Sequence, residues 1–205
     1  MNSEVVRIFD DQMKCIGQKT REQVHRDGVW HETFHCWFTL LEGSEHYILL
    51  QKRAEVKKDY PGLLDITSAG HLMADERVHD GTREIEEELG VSIPFEELIP
   101  LGIIKGEIKQ DNMWDREYCH VYMYNCDQMP AFILQKEEVD AIYKIRLQDG
   151  VDLFTDNKAK IEAVEVYPGQ QKKRVDKTDF VDQVDYYTDV FERIQDEVEK
   201  EQNKD

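Results

Sequence analysis

The sequence predicts an α/β (α+β) sandwich built on a mixed β-sheet. Three features point there: paired apolar runs around turn residues, a glutamate-rich segment closed by Gly90, and a terminal stretch with apolar residues at helical spacing.

Residues 34–41 and 46–53 carry aromatic and branched side chains on either side of Glu42-Gly43-Ser44-Glu45, the pattern of a hairpin. After Tyr60-Pro61-Gly62, residues 63–68 read as a short strand, and residues 77–89 as a helix that Gly90 ends. Residues 101–109 and 116–124 form a second expected hairpin with Asp111-Asn112 in its turn, and residues 161–167 a further strand. Phe180, Val184, Tyr187, Phe191, Ile194 and Val198 step by four and three, so they share one face of a helix over about 178–200. That face is expected to cover the sheet, with the tail after Lys200 frayed. The 205 residues are expected to make one domain, 1–205, with an N-terminal extension over about 1–33.

With 26 basic and 44 acidic residues the formal charge is -18, which repels a nucleic-acid polymer. A small phosphorylated substrate is compatible with this charge, because a divalent cation held by carboxylates turns an acidic cleft into a phosphate site. The start, MNSEVVRIFDDQMK, lacks a basic stretch followed by an apolar run, and no segment approaches a membrane span. Cys15, Cys36, Cys119 and Cys126 show neither paired zinc spacing nor a disulfide framework. A cytoplasmic protein with no membrane partner is the expectation.

The chemistry concentrates in Gly70-His71-Leu72-Met73-Ala74-Asp75-Glu76 and Arg83-Glu84-Ile85-Glu86-Glu87-Glu88-Leu89-Gly90-Val91. On a helix Glu84, Glu87 and Glu88 stand at i, i+3 and i+4, so three carboxylates share a face while Ile85 and Leu89 anchor another. A solvated acidic face is the plain reading of such a run; cation binding is the other. Gly70 permits a close backbone approach.

Residues 70–91 resemble the Nudix box: a glycine, a spaced glutamate, then Arg-Glu, an aliphatic residue and Glu-Glu before a glycine. Six residues rather than the usual seven separate Glu76 from Arg83, and Ala69 stands where a glycine is common. The resemblance implies a Nudix-type α/β/α sandwich and a hydrolase that cleaves a diphosphate bond in a nucleoside diphosphate derivative or related small molecule. It also implies Mg2+, with Mn2+ as the alternative, held by Gly70, Glu84, Glu87 and Glu88. Magnesium suits oxygen ligands and retains waters, so few carboxylates suffice. Glu84 either binds metal or helps deprotonate the attacking water, Arg83 is positioned by Glu76, and Glu117 is the acidic candidate from outside the box.

Residues 24–35 resemble the same region of a bacterial Nudix branch related to type I isopentenyl-diphosphate isomerases. There an extra metal is held by histidines and two acids, to which His25, His31, His71, Asp115 and Glu117 correspond, with the first two histidines one residue out of step. The favoured reading of His31 and His35 is packing or hydrogen bonding on an aromatic strand, with His25 a loop residue. Isomerisation in that branch relies on a cysteine where this chain has Ala69, and alanine exchanges no proton; hydrolysis does not need it. A non-catalytic nucleotide-sensing module is the other alternative, opposed by the complete carboxylate set. Trp30, Trp37, Trp114, Lys57 and Lys58 are the candidates for substrate contact. A homodimer through the N-terminal arm or terminal helix is compatible with the sequence.

Overall fold

Alternation decides the centre of the fold. Along the segment Trp30–Glu42, Phe34, Cys36, Phe38 and Leu40 enter one apolar core and Trp37 another, all buried, as a strand covered on both faces requires. The computed structural model describes residues 4–110 and 113–202. In chain order its elements are β1 (Val5–Phe9), β2 (Cys15–Thr20), α1 (Arg21–Asp27), β3 (Trp30–Glu42), β4 (Glu45–Arg53), β5 (Leu64–Asp65) and β6 (Ser68–His71). There follow α2 (Thr82–Leu89), β7 (Ile99–Gln110), β8 (Met113–Cys126), β9 (Val139–Arg146), α3 (Leu147–Phe154), β10 (Ile161–Tyr167), β11 (Lys172–Val175) and α4 (Val184–Gln202).

These strands join in one sheet ordered β11-β10-β9-β4-β3-β1-β2, with β5 beside β4, β6 and β8 beside β3, and β7 beside β8. One edge of β3 runs parallel to β8 over residues 31–40. The other is divided, antiparallel, among β1 at Trp30 and His31, β6 at residues 33–36, and β4 at residues 39–42. Where β3 and β4 part, the Thr67 hydroxyl donates to the Leu49 carbonyl and accepts from the Phe38 N–H at 3.0 Å. This side-chain bridge is why the expected strand over 63–68 is instead β5 and β6 with a break between them.

Ile85 and Leu89 of α2 pack with Phe34, Phe38 and Leu49 on one face; α3 and α4 cover the other through Phe154, Tyr187, Phe191 and Ile194 around Trp37. The result is an α+β sandwich on a mixed sheet, as the sequence predicts. The helix expected over 77–89 begins as a 3-10 turn, Val78–Gly81, before α2. A Cβ at Gly81 would stand 2.4 Å from Phe34 Cγ, so the chain crosses the core too closely for a side chain there. Gly90, with φ 69, ends α2 in the left-handed conformation. The terminal helix begins at Val184, later than its apolar spacing suggested. Phe180 precedes it in extended backbone yet packs edge-on against Phe154 and Tyr187.

The N-terminal segment, expected as an extension, adds β1 and β2 to the sheet and presents α1 beside β8. Thr20 and Gln23 form a capping box at the start of α1, and Gly28, φ 62, ends it. A Cβ on Gly28 would meet the Trp114 ring at 2.3 Å. The expected turn at Asp111-Asn112 lies outside the described residues, whereas β7 and β8 pair from Ile99↔Met123 to Gln110↔Met113. Among the described residues no helix is long and apolar enough to cross a membrane.

Candidate active site and metal centre

The box carboxylates occupy three environments on one helix. Glu88 is 4% exposed, and its Oε2 accepts from the Ser68 hydroxyl at 2.8 Å and the Ala69 N–H at 3.3 Å. Burial, then the neighbouring Glu84 charge, pushes its carboxyl up to about 8 against those hydrogen bonds. Glu84 packs on the strand backbone at Gly70, where a Cβ would stand 2.1 Å from its carboxyl carbon. Burial raises Glu84 to about 7 although Arg83 opposes the shift. The Glu87 side chain is 56% exposed and accepts from Arg83 Nη1 at 3.3 Å.

Arg83 ties these groups to the preceding loop. Its Nε and Nη2 fork onto the two Glu76 oxygens, Nη1 donates to Glu84 at 2.6 Å, and Nη2 also reaches the His71 carbonyl at 3.0 Å. Glu76 in turn accepts from the Met73 N–H at 2.8 Å. Burial alone would raise the Glu76 carboxyl; Arg83 and the Met73 N–H outweigh it and hold the group below its ordinary range.

A second cluster is assembled by strand register. His31 stands opposite Glu117 and Thr33 opposite His71; Asp115 shares a β8 face with Glu117, and α1, rather than a loop, supplies His25. His25 Nε2 and His31 Nε2 each lie 3.5 Å from Asp115 Oδ1, His31 Nε2 lies 3.9 Å from Glu117 Oε1, and His25 Nε2 lies 3.3 Å from His71 Nε2. These separations exceed the usual hydrogen-bond range of about 2.7–3.2 Å. Ligand atoms about 2.1 Å from one ion stand about 3.0–3.4 Å apart, close to what is seen.

The histidines have the right state for a cation, whereas the two carboxyls must first lose a proton to bind one. His31 Nδ1 contacts the Val29 carbonyl at 3.1 Å, so it carries the proton and leaves the Nε2 lone pair for a ligand. His31 Nε2 and Asp115 Oδ1 are buried with no hydrogen-bond partner. Burial lowers His25 and His31 to about 4 and His71 well below its ordinary value, while it raises Asp115 to about 7 and Glu117 well above the carboxylate range. All five shifts favour uncharged groups, because burial disfavours charge where no counter-charge is present; a cation would reverse the two carboxyl shifts. The residues fit a divalent cation.

Both clusters line one cavity of about 340 Å³, Glu84, Glu87, Glu88 and Gly70 from the first and His25, His71, Asp115 and Glu117 from the second. Lys57 lines it, paired with Glu138, as do Arg21 and Arg53. The other substrate candidates are not among its lining residues, and the reason is packing. Trp37 is fully buried against Tyr187 and Phe191. Trp30 stacks on Tyr118 and donates to Asp11 at 2.7 Å. Trp114 lies over Gly28 and donates to Glu107 at 3.0 Å, and Lys58 is exposed. The sequence reading missed Arg21, Arg53, Tyr60 and Gln183, and took His35 for packing or hydrogen bonding only; all five line the cavity. Tyr60 has φ 53 and a buried, unpartnered hydroxyl; nothing local in the sequence marked it as a cavity residue.

The comparisons with known proteins point to one family. A NUDIX domain profile matches residues 29–167. A Clostridium acetobutylicum protein described as an uncharacterized Nudix hydrolase is 42% identical over 159 residues, 77% of each chain. The Escherichia coli protein YfcD, described in the same words, is 31% identical over 143 residues, covering 69% of this chain and 73% of that one. Among solved structures, a Deinococcus radiodurans protein superposes with a TM-score of 0.56 at 16% identity, covering 76% of this chain and 91% of its own. A MutT/nudix family protein of Enterococcus faecalis does so with a TM-score of 0.53 at 14% identity, covering 80% and 62%; both show the fold alone. On the profile match and the relatives' identity, the chain belongs to the Nudix hydrolase family.

Proposed function

We propose that this protein is a Mg2+-dependent pyrophosphohydrolase, with Mn2+ as the alternative, that cleaves a diphosphate bond in a nucleoside diphosphate derivative or a related small molecule. The observation that carries this reading is the shared cavity, lined both by carboxylates able to hold cations and by the basic side chains of Arg21, Arg53 and Lys57. Glu84, Glu87, Glu88 and the Gly70 carbonyl would hold Mg2+, and His25, His31, His71, Asp115 and Glu117 a second cation. When bound, such cations neutralise phosphate oxygens and make a coordinated water more acidic. Glu84 has an alternative role: where it does not hold the ion, its carboxylate would take a proton from the attacking water. Arg83, fixed by Glu76, holds Glu84 in place, and the basic side chains orient the diphosphate.

The isomerase alternative is disfavoured at the same place. Ala69 lines the cavity and no cysteine does among the described residues, so the acid–base thiol of that chemistry has no counterpart there. All 11 described strands share one sheet, which supports reading 1–205 as one unit. Four free cysteines suit a reducing cytoplasm.

The direct test is phosphate release from a panel of nucleoside diphosphate derivatives and small organic diphosphates with Mg2+, comparing the native chain with Glu87→Gln. Turnover lost in the variant supports the reading. Tight nucleotide binding without turnover across the panel would replace it by the sensing module.

Proton linkage gives a second expectation. Glu84 and Glu88 titrate at about 7 and about 8 when folded, against an ordinary value of 4.5. In the metal-free protein their contribution to stability is therefore full below about 4.5 and falls as pH rises through about 7 to 8. A bound cation restores the ionised pair, so Mg2+ or Mn2+ should raise Tm more at pH 8 than at pH 5.5. Scanning fluorimetry at both values checks this; equal gains would contradict it.

A further inference from the structure

Glu117 presents its two oxygens to different neighbours. Oε1 faces His31 and the cluster already described, whereas Oε2 lies 3.7 Å from His35 Nε2 and 3.6 Å from the Cys119 sulfur. One donor atom each from His35, Glu117 and Cys119 falls within 4.8 Å of the others. We propose that these three residues form an additional cation position, bridged to the histidine-rich one by Glu117, and that its mixed nitrogen, oxygen and sulfur donors take a zinc-type ion.

Three observations support this assignment. The 3.7 Å between His35 Nε2 and Glu117 Oε2 is too long for a closed N–H···O contact, and the Cys119 thiol donates to the same oxygen at 3.6 Å; both separations match ligand atoms around a tetrahedral ion, where nitrogen stands about 2.0 Å and sulfur about 2.3 Å from the metal, once the thiol proton is lost. The outer nitrogen of His35 is held from the opposite helix: Nδ1 lies 2.6 Å from the Tyr186 hydroxyl, which also accepts from the Trp37 indole N–H at 3.2 Å. That support turns Nε2 toward Glu117, the arrangement in which a ligating imidazole is fixed by its other nitrogen.

The third observation is the space itself. Gly106 stands opposite Glu117 in register. A Cβ there would lie 3.2 Å from the Cys119 sulfur, 3.7 Å from Glu117 Oε2 and 3.8 Å from Gln183 Oε1. Three potential donors thus converge over a residue with no side chain, and Gln183 Oε1 is buried without a hydrogen-bond partner. Gln183 or a cavity water completes the shell. His35, Glu117 and Gln183 line the cavity, so the position borders it, with Cys119 buried behind them. Binding releases the Cys119 thiol proton to solvent, with no change of oxidation state. A set with sulfur and imidazole selects zinc-type ions over magnesium.

The experiment is titration of the chelator-stripped full chain with Co2+, then displacement by Zn2+, with bound metal counted by elemental analysis. Expected are a sulfur-to-cobalt charge-transfer band in the near ultraviolet and its loss, with one metal equivalent per chain, in Cys119→Ser. His35→Gln should lose the same equivalent, which keeps the test decisive if the serine variant does not fold. The band should survive Cys15→Ser, since Cys15 is the exposed thiol. No band at saturation, or a band that survives both Cys119→Ser and His35→Gln, overturns the assignment. The spectrum is read without substrate, so failure of this position and failure of the hydrolase reading are separate outcomes.

Discussion

Glu88→Gln is expected to lower metal-dependent diphosphate hydrolysis about a thousandfold, a barrier increase of about 4 kcal/mol, with little loss of folding stability. The asymmetry comes from the site. A glutamine amide oxygen can accept the Ser68 and Ala69 hydrogen bonds that Glu88 Oε2 accepts, so packing is preserved. The substitution removes a carboxyl that burial already drives toward its neutral form, which makes the amide an easy replacement for the fold and a poor one for a cation. Steady-state phosphate release with parallel thermal melts measures both quantities. A variant that keeps its rate within a few-fold of native would remove Glu88 from the metal site.

Gly70→Ala is the second large effect, and it should separate geometry from stability. The added methyl would enter the space of the Glu84 carboxyl group, 2.1 Å from its carbon. That carboxyl is the far end of a flexible side chain, so it can swing away at a cost of about 1–3 kcal/mol in overpacking. In doing so it abandons its contact with Arg83 Nη1. Displacement of a reacting group by about 1 Å can cost about a hundredfold in rate, and a loss of that order is expected in kcat at saturating Mg2+. If kcat were unchanged and only Tm fell, Gly70 would be a packing residue and Glu84 would have no positional role.

The readable parts of the sequence were those whose signal is local. The β3–β4 turn at Gly43, the end of α2 at Gly90 and the strand over 161–167 each follow from a few adjacent residues. Trp37 was misjudged although its signal was present: an apolar run along β3 means that both faces are buried, and a tryptophan there belongs to the core. Arg21 and Arg53 carried no such mark, because surface and cavity arginines look alike in sequence. The strand β9 alternates apolar and polar residues and was overlooked with α3 behind it. What the chain could not disclose by local pattern is the parallel register of β3 with β8, which alone sets His31 opposite Glu117. The histidine positions matched a known branch by resemblance; their convergence is a property of the sheet.

The division of β3's second edge among β1, β6 and β4 bears on how this chain can tolerate change in length. A residue gained or lost within 31–40 or along β8 would turn alternate side chains to the opposite face and separate His31 from Glu117. The segment between Glu76 and Arg83, one residue shorter than usual, lies outside every ladder, and the two side chains still meet. Drift in length is thus confined to the connections, while the paired strands carry the spacing of the acids and imidazoles as a fixed count.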